Sequence, residues 1–146
     1  MKKNFFYTTV QEEFSLLLSA VRSRSEAEIF ALEKTCFSRH KTLCLHLLRD
    51  FITPFAREDL YEISAAIFAV FSTISALSES ELCLAEQSVL LLSSDPFRLG
   101  EAALRRREEL QSLWGDLSQR SAKEKAFCFA LDRVAERLLV AAVKNA

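Results

Sequence analysis

The chain has 146 residues, half of them hydrophobic and 27% charged, with a formal net charge of −1. That length suits one domain that buries about two thirds of its unfolded surface, and the composition excludes a disordered chain. Two glycines and two prolines are too few turn formers for a sheet protein, and the balanced charge lacks the basic excess of a nucleic-acid binder. The expectation is an all-α fold, a single domain over residues 1–146, with no nucleic-acid partner.

At the N-terminus, "MKKNFFYTTVQEEF" couples two lysines to aromatics, but Gln11-Glu12-Glu13 cuts it short of a signal sequence. Phe5, Phe6 and Tyr7 read as packing residues rather than as a membrane contact. Phe14, Leu17, Leu18 and Val21 recur at helical spacing and predict a helix over 5–22. Ser25 with Glu28 fits a capping box, in which a side chain at each end satisfies an orphan backbone donor, and opens a helix over 25–51. Thr53-Pro54 closes that helix and starts another over 54–77, because proline disfavours helical geometry just before it and fits a first helical position. The run from Ile63 to Ser78 carries no charge, is too short to span a bilayer, and is placed in the middle of the bundle.

Ser78 with Glu81 predicts a fourth helix over 79–93, and Asp95-Pro96 a fifth over 96–114 that Gly115 stops. Arg105-Arg106-Arg107, followed by Glu108-Glu109, reads as a solvated helix face. Ser121 with Glu124 opens a last helix over 121–144, on which Phe127, Leu131, Val134 and Leu138 form an apolar stripe. Short connections make neighbouring helices antiparallel. Cys36, Cys44, Cys83 and Cys128 show neither CxxC spacing nor a disulfide framework, which points to a reducing, cytoplasmic compartment.

The words "FITPFAREDLYEIS" carry a resemblance. Phe51, Ile52, Thr53, Pro54, Phe55, Arg57, Glu58, Asp59, Leu60 and Ile63 match in order a corner motif of the PhoU-like accessory proteins of phosphate transport, in the branch associated with Pit-type transporters. Ala56 stands where that family usually has aspartate. Leu32-Glu33 extends the match, which covers roughly residues 25 to 75, and "FALDRVAERLLVAAVKN" is loosely similar to the family's terminal helix. The resemblance implies an antiparallel bundle of about six helices. It also implies a non-enzymatic regulatory role in phosphate transport or signalling, and a membrane phosphate transporter or sensor as partner at the inner face of the membrane. Family relatives run longer and the shortfall falls after residue 78. The second half is therefore shortened, giving either a merged six-helix bundle or a smaller unit completed as a homodimer.

The family also carries acidic E/D-x-x-x-D pairs that hold metal ions, the i,i+4 spacing placing two carboxylates on one helix face. Here Glu33 is present but its partner position holds Phe37; the pair on the next helix is Phe68 and Ser72; Asp132 stands four residues after Cys128. The expectation is therefore an adaptor without the family's metal clusters or any other cofactor, its lost ligands converted to core packing. With no glycine-rich loop or nucleophile elbow, no catalytic residues are expected. Arg57, Glu58 and Asp59 are the expected partner contact if the corner is exposed, against a local reading of capping and an ion pair. Two alternatives stand beside this one. In the first, a metal site is rebuilt around Glu33, Cys36, His40, Cys44 and Asp132, thiolate and imidazole being good zinc ligands. In the second, a structural oligomer forms through the Ile63 to Ser78 face.

Overall fold

The computed structural model describes residues 5–23, 25–50, 53, 56–94, 96 and 101–144. Among them are six α-helices and no strand: α1 (Phe5–Arg22), α2 (Glu26–Arg49), α3 (Arg57–Ile74), α4 (Glu79–Ser93), α5 (Glu101–Trp114) and α6 (Ala122–Lys144), with a 3-10 turn at Leu117–Gln119. The all-α expectation holds.

The starts of α4 and α6 follow directly from the sequence. Ser78 Oγ accepts from the Glu81 amide while Glu81 Oε1 accepts from the Ser78 amide. Ser121 and Glu124 make the same reciprocal pair, at 3.2 Å each way. Ser25 makes half a box: its hydroxyl accepts from the Glu28 amide, but its own amide donates to Ser23 Oγ. Gly115, at φ +66°, ends α5 in the left-handed region where a Cβ is penalised.

One start differs from the expectation. α3 begins at Arg57, with Ala56 as an N-cap that offers no side-chain bond. In place of a cap, Glu58 and Asp59 in the first turn meet the positive end of the helix dipole. The described part of α5 runs from Glu101; residues 97–100, between it and Pro96, lie outside the described residues. Phe51, Ile52, Pro54, Phe55 and Asp95, on which the predicted corner and fifth N-cap rested, lie outside the described residues, as do Lys2 and Lys3.

Side-chain contacts give the directions of the helices. Glu12 meets Arg39 and Phe5 stacks on His46, so α1 and α2 run antiparallel. Phe37 meets Phe68 and His40 meets Tyr61, which reverses α3 against α2. Asp59 with Lys144, and Glu62 with Arg133 and Arg137, do the same for α3 and α6. α3 is the central element, packed on α1, α2 and, most extensively, α6; α4 lies on α1, α5 and α6. Ile63, Ile67, Val70, Phe71 and Ile74 are all buried among these neighbours. The apolar side of the uncharged run is therefore covered by the chain's own helices, while Ala69, Ser72, Ser75 and Ala76 are exposed. Phe6 is buried and Phe5 and Tyr7 half-buried, so the N-terminal aromatics do pack on the bundle. Among the described residues, no helix is long and apolar enough to cross a membrane.

Candidate functional site

The distinctive chemistry lies on the two sides of α2. On its inner flank, a chain of polar groups threads the α1–α2–α3 interface. Glu13 is fully buried, and its Oε2 accepts from Ser64 Oγ at 2.7 Å and, more weakly, from Cys36 Sγ at 3.9 Å. Ser64 Oγ also lies 2.8 Å from His40 Nδ1, and His40 Nε2 faces Cys44 Sγ at 3.7 Å. The groups form one connected chain from the Cys44 thiol through imidazole and hydroxyl to the carboxyl.

Burial governs the charges along it. Desolvation raises the Glu13 pKa from 4.5 to about 8, against the lowering effect of the Ser64 and Cys36 hydrogen bonds, with the nearby Glu12 charge adding a smaller push upward. Desolvation also lowers the His40 pKa, which keeps the ring neutral. The thiols of Cys36 and Cys44 are both raised, by desolvation first and by the Glu13 charge second. Neither is therefore the thiolate that nucleophilic chemistry or zinc binding uses. Glu13 Oε1 is buried without a hydrogen-bond partner.

Of the residues predicted from sequence, Cys36, His40 and Cys44 join this chain of polar groups without closing around one point, and Asp132 lies on α6. Cys36 points to Glu13 and His40 to Ser64 instead of converging, while Asp132 is held on α6 by both nitrogens of an Arg107 fork at 3.0 Å and by Gln111. Glu33 lies half-buried on α2. Among the described residues no three His, Cys, Asp or Glu side chains gather closely enough to hold a metal ion, so the rebuilt site does not assemble there. Phe37 and Phe68 meet, with ring centroids 5.3 Å apart, but Phe37 is 45% exposed and Ser72 is exposed. The expected conversion to core packing therefore holds in part: Phe68 is half-buried against the core, whereas Phe37 and Ser72 lie at the surface.

At the corner, Arg57 donates to the Leu47 and Asp50 carbonyls, closing the end of α2. Asp59 is buried and accepts from Lys144 Nζ at 3.1 Å. Both side chains are engaged within the chain; Glu58 is exposed. The local reading, capping plus an ion pair, fits Arg57 and Asp59.

The outer side of α2 is open. The helix packs chiefly on α1 and α3, and its outward face carries Phe30 (56% exposed), Phe37, Leu45 and Leu48 (84% exposed). Phe30, Phe37 and Leu48 fall on one line down the helix, with Lys34 and Lys41 beside them at i+4 and i+11. Each lysine ammonium lies over a ring, Lys34 at 4.6 Å from Phe30 and Lys41 at 5.3 Å from Phe37. Tyr61 of α3, 47% exposed, and the half-buried Phe68 widen the face. A singly exposed apolar residue is ordinary; here several are spread along about 27 Å of one helix, at 1.5 Å per residue, with lysines between them.

Sequence reading missed Glu13 and Ser64, although a signal was present. Phe6, Val10, Glu13, Leu17 and Ala20 are one helical face, so Glu13 occupies an apolar register position, as Ser64 does between Leu60 and Ile67. No protein-family model matches the sequence, and no curated protein matches it.

Proposed function

We propose that the chain is a non-enzymatic helical adaptor of the PhoU-like kind, without metal clusters, that engages a membrane phosphate transporter or its sensor through the outer face of α2. The observation that carries this reading is the exposed Phe30–Phe37–Leu45–Leu48 stripe on a helix whose other side is fully used in packing. Exposing these side chains gives nothing to the isolated fold, whereas seating them in a partner would contribute roughly 25 cal/mol per Å² of apolar surface removed from water. The phosphate link rests on the resemblance of the corner motif. The contact moves from that corner to α2, because Arg57 and Asp59 are occupied internally.

The test is affinity capture of the tagged chain from detergent-solubilised membranes of its native host after light crosslinking, in phosphate-replete and phosphate-starved growth. A Phe37→Ser/Leu48→Ser variant runs in parallel. A phosphate transporter or sensor recovered with the wild type and lost with the variant is the expected result. An eluate holding only the bait, or an unchanged eluate with the variant, overturns the reading.

A further inference from the structure

The charges set within the open face of α2 say what kind of surface it takes. Lys34 and Lys41 are exposed, each lies over a phenylalanine ring, and neither forms an ion pair among the described residues. Of the other cations near this face, Arg39 is held by Glu12 and Arg57 by the Leu47 carbonyl, while Arg49 is exposed in the last turn, off the stripe. The acids of α2 lie off the stripe's centre, Glu26 and Glu28 in the first turn and Glu33 half-buried along one border. In heptad terms Phe30 and Phe37 fill one seam position, whose next member, Cys44, is half-buried toward His40, and Lys34, Lys41 and Leu48 fill the other. The face is a two-position helix-packing seam with cations in two of its layers.

That arrangement discriminates among occupants. A second copy packed in parallel sets Lys34 against Lys34 and Lys41 against Lys41, and an antiparallel copy lines the lysines of both chains along one edge, so self-association gathers like charges in either sense. A lipid surface favours cations on the flanks of an apolar face, where they stay in the headgroup layer, rather than between its apolar residues. A helix with carboxylates at matching layers removes both difficulties, because each lysine then meets an acid while Phe30, Phe37 and Leu48 lose water. We infer that the outer face of α2 binds an acidic amphipathic helix of a partner protein, with two Asp or Glu residues one heptad apart between apolar ones. This rests on the adaptor reading above and names the chemistry of its partner.

The test selects a display library of helical peptides against the immobilised full chain. Enriched peptides should carry Asp or Glu seven residues apart within an apolar stripe and weaken with added salt. They should also lose at least about tenfold in affinity against a Lys34→Glu/Lys41→Glu chain, which in turn enriches basic peptides. Basic or uncharged winners from the wild type, no enrichment, or winners indifferent to the charge reversal overturn the inference. Tighter binding to phosphatidylglycerol vesicles than to any peptide reassigns the face to lipid, and a concentration-dependent dimer abolished by Leu48→Ser reassigns it to a second copy. Both substitution sets are exposed, so unchanged helicity is the control. Capture lost with Phe37→Ser/Leu48→Ser but kept with Lys34→Glu/Lys41→Glu sinks the acidic partner and leaves the adaptor standing.

Discussion

Glu13 makes the folding stability of this chain fall as pH rises through neutrality. Its carboxyl titrates at about 8 in the folded state against 4.5 when solvated, so the native state holds the proton more tightly. A group of this kind contributes most below pH 4.5, loses ground steadily between 4.5 and 8, and changes nothing further above. At 1.36 kcal/mol per pKa unit, that separation corresponds to roughly 4 to 5 kcal/mol, a large part of a typical 5–15 kcal/mol domain stability. The charged groups facing the site do not offset it. Glu12 adds repulsion and is itself held by Arg39, and His40 is kept neutral by burial. Urea denaturation of the wild type and Glu13→Gln at each pH from 5 to 9 isolates the effect, because other titrating groups cancel in the difference. The variant keeps an acceptor for Ser64 but cannot ionise. Its stability relative to wild type should rise by about 1 kcal/mol per pH unit up to pH 8 and then level off. A difference that stays flat across that range refutes the buried, proton-holding Glu13.

Other outcomes follow from single contacts. Leu43→Ala, at a fully buried position of α2, should cost about 2–5 kcal/mol, while Leu48→Ser five residues on should change urea stability by less than about 0.5 kcal/mol. Removing the caps with Ser78→Ala or Ser121→Ala should each cost about 1 kcal/mol, and because Glu81 and Glu124 of the two boxes are hydrogen-bonded neighbours the double variant should depart from the sum. Lys144→Ala leaves Asp59 buried without its cation and should lower stability by about 1–2 kcal/mol, the lysine end being half exposed and screened. Adding Asp59→Asn to that variant should recover part of the loss in a double-mutant cycle.

Much of this protein was legible in its amino-acid order, because helix starts and helix periods are local. The Ser78–Glu81 and Ser121–Glu124 boxes form within one turn of chain, Gly115 needs only its own backbone, and the apolar spacing of α1 and α6 is set by 3.6 residues per turn. The charge-free run of α3 likewise announced a central helix. What local order could not decide is which face of α2 would be left uncovered. Phe37 and Phe68 look like core residues in the sequence, yet Phe37 caps a half-buried Phe68 from the surface because only α1 and α3 flank that helix closely. The fate of the polar residues was also tertiary. Glu13, Ser64 and His40 sit on three helices, dozens of residues apart, and become one hydrogen-bonded chain only when α1, α2 and α3 pack together. The sequence allows Arg57 and Asp59 either a local cap and ion pair or a partner contact, and in the fold the end of α2 and Lys144 of α6 meet them. Secondary structure follows from neighbours in the chain, whereas burial, pairing and exposure depend on which helices meet.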